Sequence, residues 1–212
     1  MLRAVIWDFD GTICDTYPAI ARAVNTALAR FGAEATITRI VDLASISLDR
    51  CIRTLAEDFA LPYDQLAAAF TETYQHVQPT DQPPFPGVRD LCQRLTRAGI
   101  HNFIVTHRRH ASLHVLLTTY DLRSWFTHII AADDAFPRKP APDAMLHLLT
   151  TYGIAPSEAL VIGDRDLDIR AGQAAGIPTC LFRASIPDPA PSRTITAFAE
   201  LMDLVPTAAR AA

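Results

Sequence analysis

Apolar positions along this chain follow two different rhythms. Residues 4–7 (Ala-Val-Ile-Trp) form an unbroken apolar run with no polar face, which predicts a strand buried on both sides. Residues 18–77 instead repeat at helical spacing. Ile20, Val24, Ala27, Leu28 and Phe31 predict a helix over 18–31, opened by Pro18 and closed by Gly32. Leu48, Ile52, Leu55 and Phe59 predict another over 48–59; Leu66, Phe70, Tyr74 and Val77 predict a third over 63–77. The proline-rich stretch 79–87 suits neither a helix nor a central strand and reads as a stiff connector.

Beyond Gly87, helix and strand alternate. Helices are expected over 88–98, 110–120, 142–151 and 167–175, and strands over 101–105, 127–131, 160–162 and 178–182. A loop over 187–191 and a helix over 198–205 complete the pattern, with Thr207 to Ala212 expected to fray. Such alternation implies an α/β fold, a doubly wound parallel sheet covered on both faces. A simple strand–helix–strand unit takes about 30 residues, yet roughly ninety separate Asp10 from Thr106. The excess is helical. It reads as an insertion, with residues 1–16 and 81–212 forming the α/β core domain and residues 17–80 a small all-helical domain. Extra helices packed on the sheet are the plainer alternative.

Composition narrows the function classes. The 212 residues are 50% apolar, with a net charge of -4, so no basic field invites nucleic acid or an anionic membrane. No apolar stretch reaches membrane-spanning length, and the first apolar run is interrupted too early for a cleavable signal. Cys14, Cys51, Cys92 and Cys180 are scattered singly, as expected of reduced thiols in the cytoplasm. Among 19 basic residues, only Lys139 is a lysine. Arginine and lysine are not interchangeable at a tight site, so a lone lysine marks a candidate position.

The first strand runs directly into Asp8-Phe9-Asp10-Gly11-Thr12. In extended chain Asp8 and Asp10 project to one side, at the strand end where α/β sheets build their sites. Two close carboxylates invite a shared cation, or one keeps a proton. A chance acidic pair capping a helix is the alternative for these residues alone.

Three further segments decide between those readings. Thr106 ends the apolar run Phe103-Ile104-Val105; Arg138-Lys139-Pro140-Ala141-Pro142-Asp143 surrounds the sole lysine; and Gly163-Asp164-Arg165-Asp166-Leu167-Asp168 follows an apolar strand. Together with the first segment they resemble, in order, the four motifs of the haloacid dehalogenase superfamily, in the phosphoglycolate phosphatase-like branch with a helical cap. The resemblance implies a sheet in the order 5-4-1-2-3 and a cap inserted after the first motif. It further implies a phosphatase acting on a small phosphorylated metabolite with Mg²⁺, as a monomer or homodimer. In that scheme Asp8 is the nucleophile, Asp10 the acid and base, Thr106 a phosphoryl donor and Lys139 the neutralising cation. Asp8, the backbone of Asp10, and Asp164 would bind the metal, and Asp168 would support Lys139 or a metal-bound water.

Other positions are less determined. His107-Arg108-Arg109-His110 reads as a solvated basic turn, or as a turn compensated by an anionic substrate or a cap carboxylate. Leu43 to Arg50 aligns loosely with the family's substrate loop, which makes Ser45, Ser47 and Arg50 candidates. A phosphomutase is the nearest alternative, although Leu48, not arginine, follows Ser47. A non-catalytic or receiver-like phospho-binding module is the alternative from another class.

Overall fold

The computed structural model describes residues 1–186 and 188–204. The expectations for Val205 and for Thr207 to Ala212, and for Pro187 within its loop, concern positions outside the described residues. Two compact units divide the chain, one comprising Met1–Cys14 with the chain from Pro84 onward and the other Asp15–Pro83.

The first unit is built on six strands: β1 (Ala4–Trp7), β2 (His101–Val105), β3 (His128–Ile130), β4 (Ala159–Gly163), β5 (Thr179–Phe182) and β6 (Arg193–Ile195). They pair in the order β3-β2-β1-β4-β5-β6, every neighbour parallel. The first five give the order that the resemblance implied; β6 is an addition. Its three residues, Arg-Thr-Ile, carry too short an alternation to register as a strand, and a proline-rich segment precedes them.

Strand alternation sorts the core. Val5, Trp7, Ile104, Ile162, Cys180 and Phe182 pack on one face and Ala4, Ile6, Phe103, Val105 and Val161 on the other. Both faces are apolar because helices cover both. Below Trp7, the buried amide of Asn102 accepts from the indole Nε1 at 3.0 Å and donates to Cys92 O and Thr96 Oγ1, so this polar group costs little. The last described residues, Phe198–Leu204, form a 3₁₀ helix, where a helix was expected.

The second unit is entirely helical among its regular elements: α1 (Tyr17–Ala29), α2 (Ile37–Ile46), α3 (Leu48–Asp58) and α4 (Tyr63–Tyr74). Its core joins Ile20, Val24, Leu28, Ile40, Ile52, Leu55, Leu66 and Phe70. The helix α2 is a correction to the sequence reading. Its β-branched residues Ile37, Thr38, Ile40 and Val41 weaken helix propensity, but Thr36 caps its N-terminus by accepting from Arg39 N–H. The remaining helices are α5 (Val88–Arg97), α6 (His110–Thr119), α7 (Asp143–Tyr152) and α8 (Asp166–Ala174), all in the first unit.

Candidate active site

Strand register brings the four segments to one edge of the sheet. Trp7 pairs with Ile104 on one side and Ile162 on the other, and Asp8 N–H continues the ladder to Ile162 O at 2.8 Å. Asp8, Thr106 and Asp164 therefore all lie just past the carboxyl ends of adjacent strands. Gly11, at φ 78°, then turns the chain away, a conformation that a side chain would strain.

Lys139 reaches this edge from the loop after β3. Its Nζ donates to Asp8 Oδ1 at 2.6 Å, Asp168 Oδ1 at 2.6 Å and Val105 O at 2.8 Å, so all three ammonium hydrogens have acceptors. Burial opposes its charge, but Asp168 and Asp8 outweigh that and hold the ammonium above its usual range. Asp168 is fixed at both ends, because Oδ2 accepts from Arg165 N–H at 3.1 Å. Gly163 makes room for it: a Cβ there would sit 2.4 Å from the Asp168 Cβ. Asp168 thus contacts Lys139 directly, bridging it to the Arg165 backbone.

Asp8 is different. Lys139 holds Oδ1, whereas Oδ2 is buried with no hydrogen-bond partner among the described residues; Arg165 Nη2 lies 3.9 Å from it. Burial raises its carboxyl above the usual range, with Lys139 working against that shift. One oxygen of Asp8, Asp164 and Asp168 all fall within 4.8 Å of one another. Asp168 is already engaged at both oxygens, which leaves Asp8 and Asp164 as oxygen donors for a hard cation. Thr12 Oγ1 orients Asp164 by donating to its Oδ1 at 3.3 Å.

Asp10 faces a second cation. Arg108 Nε lies 3.1 and 3.2 Å from its two oxygens, and Nη2 2.6 Å from Oδ1. This corrects the solvated basic turn for Arg108, which is buried and stacked 5.6 Å from the Phe9 ring centroid. Arg109 is exposed, as that reading expected. Thr106 Oγ1 accepts from Arg108 N–H at 3.1 Å and so shapes the turn. His107 is held neutral, pushed down to about 4 by burial and by Lys139 and Arg165. Arg165 adds its charge beside Asp8.

The helical-unit candidates have local roles. Ser45 lies inside α2 and donates to Asp42 O; Ser47 joins two helices, its Oγ accepting from Arg50 N–H as the cap of α3. Arg50 is exposed on that helix. The loop expected over Leu43 to Arg50 is therefore a single-residue break between helices.

The family model for haloacid dehalogenase-like hydrolases matches residues 5–182. Phosphoglycolate phosphatase of Escherichia coli strain K12 is 30% identical, over 84% of this chain and 80% of its own length. Among solved structures, a hydrolase from Streptococcus pneumoniae TIGR4 is 32% identical over 86% of this chain and 94% of its own, with a TM-score of 0.66. A hydrolase of the same superfamily from Geobacter sulfurreducens, 23% identical, shares the fold over 96% of both chains with a TM-score of 0.78. With its four motifs gathered at one sheet edge, this chain belongs to the haloacid dehalogenase-like hydrolases.

Proposed function

We propose that this chain is a Mg²⁺-dependent phosphatase that hydrolyses a small phosphorylated metabolite through an aspartyl-phosphate on Asp8. The observation that carries this reading is the asymmetry of the Asp8 carboxylate, one oxygen pinned by Lys139 and the other buried without a hydrogen-bond partner among the described residues. Three close carboxylates against a lysine and a more distant arginine leave an excess of buried negative charge, which a divalent cation would balance. Asp8, Asp164 and the backbone carbonyl of Asp10 would hold Mg²⁺, which would offset charge on the phosphoryl oxygens.

The chain's own groups then divide the work. Asp8 forms a bond to phosphorus as the bond to the alcohol oxygen breaks, and Asp10 gives its proton to that leaving oxygen. Asp10 next takes a proton from water as the water oxygen attacks phosphorus, and Asp8 leaves as carboxylate. The net reaction converts ester and water to alcohol and phosphate. Thr106 donates to a phosphoryl oxygen, and Lys139 neutralises the nucleophile and the transferring group. The helical unit serves as the cap that selects substrate, the cytoplasm as the compartment, and a monomer or homodimer as the working form. The named activity of the Escherichia coli relative and its 30% identity support the phosphatase reading over a mutase or an idle scaffold. A panel of phosphorylated metabolites with Mg²⁺ tests it. Turnover of small esters is expected; activity confined to phosphoproteins or long polymers would refute the enclosed small-molecule site.

A further inference from the structure

Arg165 has no step in the reaction above, yet its place is specific. It stands at the N-cap of α8, next in the chain to Asp164, and its side chain is only 12% exposed. Its Nη2 lies 3.9 Å from Asp8 Oδ2, the oxygen that Lys139 does not hold and that a cation would take. Its charge is felt across the site. It works against burial at Asp8 in favour of the carboxylate, and after burial and Lys139 it is the next cause that keeps His107 neutral. We propose that Arg165 competes with the divalent cation at Asp8 Oδ2, so that the metal binds weakly alone and tightly once a phosphoryl group gives the guanidinium another anion. The inference rests on the phosphatase reading and deepens it, since it adds a coupling between metal and phosphate at the same site.

The physical argument starts from distance. A Mg²⁺ held by Oδ2 sits about 2.1 Å from that oxygen, so a guanidinium nitrogen that stays 3.9 Å from the same oxygen is at most about 6 Å from the ion. At that range, in a buried site, like charges repel with little screening. If the side chain instead turns away, it gives up its approach to a buried carboxylate. Either course weakens the metal. Formal charge gives the same sign. Asp8, Asp164 and Asp168 against Lys139 and Arg165 leave one excess negative charge, which a divalent cation turns into one excess positive charge. A phosphoryl dianion reverses it again, and its oxygens suit the guanidinium fork. Linkage is reciprocal, so phosphate strengthens the metal by the same factor as the metal strengthens phosphate.

Mg²⁺ binding to the full chain, followed by isothermal titration calorimetry without and with saturating inorganic phosphate, tests this apart from turnover. The wild type is expected to bind Mg²⁺ about tenfold or more tightly with phosphate than without. Arg165→Gln is expected to tighten the binding of Mg²⁺ alone by about tenfold or more and to shrink the gain from phosphate. Arg165→Lys, which keeps the charge, should stay closer to the wild type. An arginine that only shapes the turn predicts the opposite sign, because a disturbed site holds a cation less well. Mg²⁺ alone bound no more tightly by a folded Arg165→Gln than by the wild type overturns the proposal. So does a wild-type affinity indifferent to phosphate, which decides the matter even if the variant does not fold. In either case Mg²⁺-dependent hydrolysis of p-nitrophenyl phosphate leaves the phosphatase reading standing. No hydrolysis and no Mg²⁺ binding remove that reading, and the inference with it.

Discussion

At the carboxyl edge of the sheet, Lys139 and Asp8 meet with 2% and 1% of their side chains exposed; in the helical unit, Arg53 meets Asp49 with 55% and 60% exposed. Arg30–Glu72 and Arg39–Asp58 in that unit are similarly wet. Water solvates each of those charges whether or not the partner is there, so the pairs contribute little and their loss is cheap. The sheet edge has no such reserve. Taking Lys139, Asp8 and Asp168 out of water is costly, and an apolar replacement of the whole group commonly leaves a protein no less stable. This chain keeps all three buried in one hydrogen-bonded arrangement. The lone lysine belongs to that arrangement, and arginines supply the wet pairs of the helical unit.

Asp8→Asn gives the largest expected effect on that contrast. Turnover of a small phosphate ester falls by about a thousandfold or more, because an amide cannot form the acyl phosphate. The fold persists, since burial already disfavours the Asp8 charge and Asp168 still holds Lys139. Steady-state kinetics and circular dichroism together check this, and near-wild-type rates would remove Asp8 from its role. Lys139→Met follows, with a loss of roughly 3–5 kcal/mol in urea unfolding from leaving Asp8 and Asp168 buried and unpaired. An effect no larger than that of a helical-unit pair would erase the distinction between the two regions.

How far this contrast was legible in the sequence follows the same physics. Asp8, Thr106 and Asp164 could be placed because each ends an apolar strand, and parallel strands deliver their ends to one edge. Lys139 stood out as the sole residue of its kind. Arg108 was misread: its partner Asp10 is 98 positions away, and only side-chain packing across two strand ends makes the turn dry. The helix α2 was missed because β-branched residues blur its pattern, and β6 because a three-residue edge strand carries almost none. The reach of Asp168 to Lys139 was named as one of two roles. The contact itself depends on Gly163, whose bare backbone admits the carboxylate.

A smaller effect sharpens the electrostatic side. Millimolar Mg²⁺ is expected to raise the melting temperature of the wild type by a few degrees, since a ligand that binds only the folded state stabilises it. Asp164→Asn is expected to abolish most of that rise with little change in the metal-free melting temperature. An undiminished rise in the variant would place the cation elsewhere. Arg39→Ala, removing an exposed ion pair with Asp58 in the helical unit, is expected to move the melting temperature by no more than about 1 °C.

The smallest expected signal is a null with a defined way to fail. All four cysteines are free and buried, Cys51 in the helical unit and Cys14, Cys92 and Cys180 in the sheet unit. Burial pushes the Cys51 thiol up to about 11 and the Cys180 thiol up to about 12. At pH 8 the reactive thiolate of Cys51 is then about a thousandth of the total, and that of Cys180 smaller still. A disulfide reagent such as DTNB should titrate almost no thiol in the native protein and all four in denaturant. Raising the pH towards 11 increases the thiolate fraction of Cys51 before that of Cys180, so slow native labelling of Cys51 should precede that of Cys180. Prompt labelling of Cys180 ahead of Cys51 at pH 8 would mean that the sheet unit opens more readily than the helical one. A site that excludes water from Lys139 and Asp8 could not then owe its character to rigid burial.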